Sequence, residues 1–308
     1  GSAVARFIAV RVLQACVALI AVVSIVFVLV RISGDPVELM APPQATAEDL
    51  ARIRAAEGLD RPLIVQYTTY MGRLFQGDLG DSTSYRQPVT ELLKGAVPMT
   101  LKLGAAAFLL AFVAGTTAGY LAGTRPGGAV DNVVRGMTLI GQSVPPFFLG
   151  ILLIMVFAVQ YSLLPALGTR GWTSVILPAA TLGAYPMAAV ARLTRSSVVE
   201  LGARDQTLFL RAKGVSRPRF VVHTARNAAL PVVTLAGVQL GAILSGTIVV
   251  ETLFSWPGLG QVAVQAIHSR DFAVVQGVVI VNTLIVTVLL LILDLSYGWL
   301  DPRIRTVR

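Results

Sequence analysis

The chain has 308 residues, 55% of them hydrophobic and only 13% charged, with a mean hydropathy of +0.74. A soluble domain carries about 25% charged residues, so the composition excludes an ordinary water-soluble enzyme and indicates a chain solvated mainly by lipid. The net charge of +9 reads as the positive-inside charge of a polytopic membrane protein rather than a nucleic-acid surface, and a lone cysteine, Cys16, excludes an internal disulfide.

A helix needs about 20 predominantly apolar residues to cross the hydrocarbon core. The first stretch that qualifies covers residues 12–30. A long segment, 31–98, follows it and has the marks of local structure. Thr46 with Asp49 three residues on resembles a helix N-cap with a capping acid, which predicts a helix over 47–57 ending near Gly58. A second amphipathic stretch over 63–76 stops at Gly77-Asp78-Leu79-Gly80. These two helices are expected to lie on the membrane surface, to cap a pathway mouth, or to form a small packed plug.

The next spans are predicted at 99–121, 138–160 and 175–191. Pro145-Pro146 sit in the third and should kink it, while Gly183 and Pro186 interrupt the fourth, the shortest and weakest. Kinks are tolerated in a bundle when neighbours satisfy the freed backbone groups.

Residues 211–231 form a strongly basic loop between two apolar spans, and 200–227 should extend the fourth span into the cytoplasm. A short helix is expected from Arg204 to Lys213, ended by Gly214, which admits the left-handed conformation of a helix terminus. Ser216 is a suitable N-cap for a second helix, with Pro218 in its first turn, running to about Asn227. The result is a helix–turn–helix that projects from the membrane and offers Arg211, Lys213, Arg217, Arg219 and Arg226. Such basic groups hold anionic headgroups, but a compact knob with a glycine turn fits a cleft on a cytoplasmic partner better.

The fifth span, 232–252, starts after Pro231. Gly237 and Gly241 form a small-xxx-small pattern for close helix packing, and Gln239, Ser245 and Thr247 add polar groups to the same span. Polar residues deep in lipid face protein or water, which makes these three, with Glu251, the pathway candidates. Glu251 otherwise reads as a residue at the external edge of its span. The sixth span covers 273–293.

Orientation follows from Lys and Arg placement. The N-terminus, the loops after the second and fourth spans and the C-terminus are strongly basic, whereas the other side is nearly balanced. Both termini and the basic loop are therefore expected in the cytoplasm. The chain contains no phosphate-binding G-x-x-x-x-G-K-[ST] loop, no H-E-x-x-H and no nucleophile elbow. Its two histidines, His223 and His268, fall in different loops. Neither catalysis nor a metal site is expected. A self-contained secondary carrier, the competing reading, usually places acids or broken helices near the midplane; the missing midplane charges and the projecting basic loop count against it here.

At this point the chain resembles the permease subunits of bacterial ABC importers, in the dipeptide/oligopeptide/nickel branch. The resemblance rests on Arg211-Ala212-Lys213-Gly214, His223, Arg226-Asn227 and Pro231 in the basic loop. It extends through Gly58-Leu59-Asp60-Arg61-Pro62, Gly77-Asp78-Leu79-Gly80, Ser143-Val144-Pro145 and Leu164-Pro165. Further on it takes in Arg192-Leu193-Thr194-Arg195-Ser196-Ser197, the run from Glu251 to Gly260, Arg270-Asp271, and Leu300-Asp301-Pro302-Arg303-Ile304-Arg305. The long segment after the first span is more like the B-type subunit than its C-type partner. Residues 206–210 depart from the family pattern, so contacts are not carried over to them.

The resemblance implies an all-α membrane protein with six transmembrane helices in a single permease domain. Within it, 31–98 would be an external segment, 99–308 the core permease region and 192–230 the cytoplasmic coupling loop. It also implies a homologous second permease, two cytoplasmic ATPase domains that hold ATP and Mg, and an external binding protein that delivers the solute. No cofactor is expected in this chain. Arg211, Ala212, Lys213, Gly214, Val215, Ser216, Arg217 and Arg219 would dock the ATPase. Trp256, Pro257, Gly258 and Gly260 would meet the binding protein. Short peptides are the default solute, with nickel chelates or haem as alternatives.

Overall fold

The computed structural model of the chain describes residues 2–33, 37, 44–56, 58–169, 171–203 and 217–300. Every regular element among the described residues is helical, apart from one isolated bridge between Asp81 and Pro88. In chain order the elements are α1 (Ser2–Ser33), α2 (Ala47–Ala56), α3 (Leu63–Phe75), α4 (Val89–Thr124), α5 (Ala129–Ser143) and α6 (Pro146–Leu153), which continues as a π-helical segment over Ile154–Gln160. A 3-10 turn at Trp172–Val175 leads into α7 (Ile176–Ala203), followed by α8 (Arg217–Leu253), α9 (Leu259–His268) and α10 (Phe272–Leu300). Among the described residues five helices are long and apolar enough to cross a membrane, and there are six spans if the bent pair α5–α6 counts as one.

The third span is not the kinked rod that its sequence suggests. Ala129–Ser143 and Pro146–Gln160 meet at 114°. Consecutive prolines remove two backbone donors and push the preceding residue out of the helical region. Val144 (φ −86°, ψ 125°) and Pro145 (φ −59°, ψ 138°) are accordingly extended, and Pro146 restarts the chain at the first position of α6. The helix before Pro231 is likewise not a separate unit ending near Asn227, because α8 runs through Pro231 without a break. A proline inside a helix removes one intrahelical hydrogen bond, and here that loss does not end the helix.

The chain divides into two compact units, Gly1–Pro98 with Gly258–Arg308, and Met99–Pro257. In the first, α1 packs on α10 and α9 on α10. Val89, Leu93, Ala96, Leu259, Ala263, Ala266, Val274 and Val278 form its core. Gly277 is needed there, since a Cβ at this position would stand 2.5 Å from Val89 Cγ1. The expected cap of α2 is present as a reciprocal pair. Asp49 N donates to Thr46 Oγ1 at 3.3 Å, and Thr46 N donates to Asp49 Oδ2 at 3.1 Å. Hydrogen bonds from the Thr46 hydroxyl and then its N–H hold the Asp49 carboxyl below its ordinary pKa.

In the second unit α7 is central, in contact with α5, α6 and α8. The most apolar part of α7 is 67% buried in protein, against 17% for α1. That explains why it is the weakest span by composition: a helix surrounded by protein does not need lipid-soluble residues on every side. Three glycines of α4, Gly115, Gly119 and Gly123, sit one turn apart against α7. A Cβ at Gly119 would lie 2.3 Å from Ala191 O, and one at Gly123 would lie 2.7 Å from Val198 Cβ. This seam brings two backbones into contact. The sequence suggests close packing at Gly237 and Gly241 and gives no local sign of this second seam.

Candidate functional site

Of the residues expected to dock an ATPase, Arg211, Ala212, Lys213, Gly214, Val215 and Ser216 lie outside the described residues, as does the short helix expected before them. Arg217 and Arg219 fall in the first turn of α8.

The pathway candidates on α8 divide by face. Gln239, Thr247 and Glu251, spaced eight and four residues apart, are all buried. Ser245 is exposed on another face, where its hydroxyl donates to Gly241 O at 3.1 Å. Thr247 Oγ1 donates to Leu244 O at 2.9 Å. Ser and Thr hydroxyls satisfied by the preceding turn in this way are no longer unmet polar groups in an apolar environment.

Glu251 stands near the end of its span, where α8 stops at Leu253, but it is enclosed by protein. Its side chain is fully buried and accepts a hydrogen bond from Thr100 Oγ1 of α4 at 2.7 Å. Directly beyond it the helix ends in a Schellman arrangement. Trp256 N donates to Glu251 O at 2.8 Å and Ser255 N to Thr252 O at 3.3 Å. Ser255 takes the left-handed conformation (φ 50°) that such a cap requires and that glycine usually supplies. The turn tucks Trp256 inward, and its Nε1 donates to Met99 O at 2.9 Å. The Lys102 ammonium stands 5.8 Å from the centre of its ring. Met99, Thr100 and Lys102 on α4 thus hold the end of α8 and its turn.

Of the four residues expected to meet a binding protein, Trp256 is 1% exposed in the core of the second unit, and only Pro257 is open to solvent. In the first unit Gly258 caps α9 and is buried, as is Gly260.

Two polar centres escaped the sequence reading. In the first unit, the fully buried Asp271 accepts hydrogen bonds from Ser82 Oγ at 2.6 Å and Ser84 N at 2.9 Å. It also caps α10 through Val274 N at 3.3 Å. Tyr85 N donates to Ser82 Oγ at 2.8 Å and the Tyr85 hydroxyl donates to Gln265 at 2.7 Å, so the loop after α3 is fastened to the α9–α10 turn. Arg270 makes that turn in the left-handed region (φ 56°). An aspartate just ahead of an apolar run is a readable N-cap signal, but its partners 187 to 189 residues away are not.

In the second unit, the buried Asp131 at the start of α5 takes a two-pronged contact from Arg195 of α7, with Arg195 Nη2 2.7 Å from Asp131 Oδ2. Gly127 N adds a third donor at 2.8 Å. Arg195 belongs to the Arg192–Ser197 run singled out in the sequence, where its partner could not be identified. No group of three or more potential metal ligands occurs among the described residues.

In this arrangement a few buried polar contacts clamp membrane-length helices to one another. Residues 115–306 match the family described as the binding-protein-dependent transport system inner membrane component, and residues 4–106 match its N-terminal companion. The chain is 40% identical to the dipeptide transport system permease protein DppB of Escherichia coli (strain K12), with 89% of this chain and 91% of that protein covered. It is 39% identical to the di/tripeptide transport system permease protein DppB of Pseudomonas aeruginosa (strain UCBPP-PA14), covering 93% and 95%. Against the glutathione transport system permease protein GsiC of Salmonella choleraesuis (strain SC-B67) the identity is 39%, covering 93% and 94%.

Proposed function

The chain belongs to the family of binding-protein-dependent transport system inner membrane components, and from that premise we propose that it is the permease subunit of an ATP-driven importer of short peptides. The observation that carries this reading is the similarity, over about nine-tenths of the chain, to three permeases whose names specify dipeptides, di/tripeptides and glutathione. These relatives favour a peptide over a nickel chelate.

In this reading the termini and the basic loop face the cytoplasm, and Arg211–Ser216 with Arg217 and Arg219 dock one of two ATPase domains that bind ATP and Mg. A homologous permease completes the pathway, and an extracytoplasmic binding protein delivers the peptide. ATP acts by binding one state of the assembly better than the other, and that difference in affinity sets the shift between inward- and outward-facing forms. Arg217 and Arg219 open α8, which runs unbroken from Arg217 to Leu253, so movement of an ATPase docked there is passed to the helix that carries Gln239, Thr247 and Glu251. The polar contacts Asp131–Arg195 and Thr100–Glu251 tie α7 and α8 to their neighbours, so these helices move as packed groups.

The test begins with purification from native membranes in mild detergent. Recovery of a second permease and ATPase subunits, followed by dipeptide uptake into proteoliposomes only with ATP and binding protein, is the expected result. Recovery of the chain alone, with uptake that needs no ATP, would overturn the importer reading.

A further inference from the structure

Helix α3 is fastened to the membrane end of α1 within the first unit. Phe27, 4% exposed, lies edge-on to Tyr67 with ring centres 5.2 Å apart and close to Tyr70 at 5.5 Å. The Arg31 guanidinium stacks 3.4 Å above the Phe27 ring, and its Nε donates to Gln66 Oε1 at 3.0 Å. The hydroxyls of Ser24 and Tyr67 are 2.7 Å apart.

These contacts fix the depth of α3. The apolar span of α1 is Ile8–Ile32, so Ser24 lies eight residues inside its end, about 12 Å at a helical rise of ~1.5 Å per residue. A helix whose tyrosine reaches Ser24 stands beside the last turns of a membrane span, not above them in bulk water. Arginine and tyrosine are the residue types that anchor this boundary zone.

The outward surface of α3 is two-sided. With about 3.6 residues per turn, Ile64, Met71 and Phe75 form one row, while Thr69 and Arg73 fall on the other flank. Ile64 is 68% and Phe75 83% exposed. On the neighbouring α1 surface Val28, Leu29 and Ile32 are also exposed and apolar. Exposed apolar surface continuous with a span, with a polar flank turned away, is the pattern of an interfacial helix.

We propose that α3 lies in the bilayer boundary at the C-terminal end of α1, with the Ile64–Met71–Phe75 row inserted among phospholipid acyl chains and Thr69 and Arg73 turned to water. The helix would then brace the loop that follows it, which holds Ser82 and Ser84 against Asp271, on the membrane itself.

The test uses the full transporter reconstituted in phospholipid liposomes, in a Cys16→Ser background. Spin labels are placed at Ile64→Cys, Phe75→Cys, Thr69→Cys and Arg73→Cys, one at a time. Power-saturation EPR then compares collision with oxygen, which concentrates in lipid, and with a water-soluble nickel chelate. The expected result is an oxygen-to-nickel ratio several-fold higher at 64 and 75 than at 69 and 73. Equal nickel access at all four sites would put the row in water and overturn the proposal. Loss of access to both reagents at 64 and 75 would show that a protein partner covers the row, and would overturn it equally. Four separately labelled sites keep the answer available if one variant does not fold.

Discussion

Thr100 of α4 donates a 2.7 Å hydrogen bond to Glu251 near the end of α8, with both side chains fully enclosed. A buried carboxyl group deprived of a donor keeps its desolvation cost, about 1–3 kcal/mol. Thr100→Val should therefore lower the stability of the transporter by about 1–3 kcal/mol, while Thr100→Ser, which retains the donor, costs less. The midpoint of thermal unfolding in detergent reads both. Transport should fall with Thr100→Val even below that midpoint, since the contact holds the end of the helix assigned to the pathway. Unchanged uptake would reduce Thr100 to a purely structural role.

The Asp131–Arg195 contact joins the start of α5 to α7. Asp131→Asn and Arg195→Gln should each lower thermal stability and transport. Because they break the same contact, their effects should fail to add in the double variant. Asp131→Arg combined with Arg195→Asp should recover part of what either change loses alone. Additive single effects with no recovery in the exchanged pair would mean that each residue acts through other neighbours.

The elements were legible wherever a local signal stood alone. The Thr46–Asp49 cap, the end of α3 at Gly77 and the six apolar stretches were all readable, because each depends on residues a few positions apart. The Pro145-Pro146 pair was visible too, but two extended residues turn the chain by 114° where a kink was expected. The site was less legible. The burial of Glu251 at the end of its span was not readable because its partner, Thr100, is 151 positions away. Trp256 looked available to a partner because nothing local shows that a left-handed Ser255 turns it inward. The close seam lay at Gly115, Gly119 and Gly123, and only the position of α7 reveals that it is needed.

That seam makes a prediction of opposite signs. A Cβ at Gly119 would stand 2.3 Å from Ala191 O and 2.8 Å from Thr194 Cβ. Gly119→Ala must push α4 and α7 apart, an overpacking cost of about 1–3 kcal/mol. At Gly72 in α3 a Cβ meets nothing within 4 Å. Gly72→Ala should therefore stabilise by about 0.4–1 kcal/mol through the unfolded chain. Differential scanning of the two variants against the parent checks both signs together.

The turn after α8 offers a similar gain. Ser255 has φ 50° in a position that glycine normally fills, and the left-handed region costs a non-glycine residue about 1–2 kcal/mol. Ser255→Gly should raise thermal stability, with transport retained if the turn serves only to seat Trp256. A fall in stability would mean that the serine side chain contributes more than the strain it carries.

Tyr70 supplies the pH prediction. Its hydroxyl is buried with no hydrogen-bond partner among the described residues, and burial pushes its pKa from about 10 up to about 12, with the nearby Arg31 charge opposing the rise. The folded value is the raised one, so the folded protein prefers the neutral phenol. The contribution of Tyr70 to stability is then complete below pH ~10 and is lost as pH climbs through about 12. Tyr70→Phe removes both the titration and an unmet polar group. It should match or exceed the parent in stability at neutral pH, since an unsatisfied buried hydroxyl costs about 1–3 kcal/mol, and its advantage should widen above pH ~10. Thermal midpoints of the two proteins from pH 8 to 11.5 would test it, and parallel curves would show that the Tyr70 hydroxyl titrates no differently in the folded and unfolded chain.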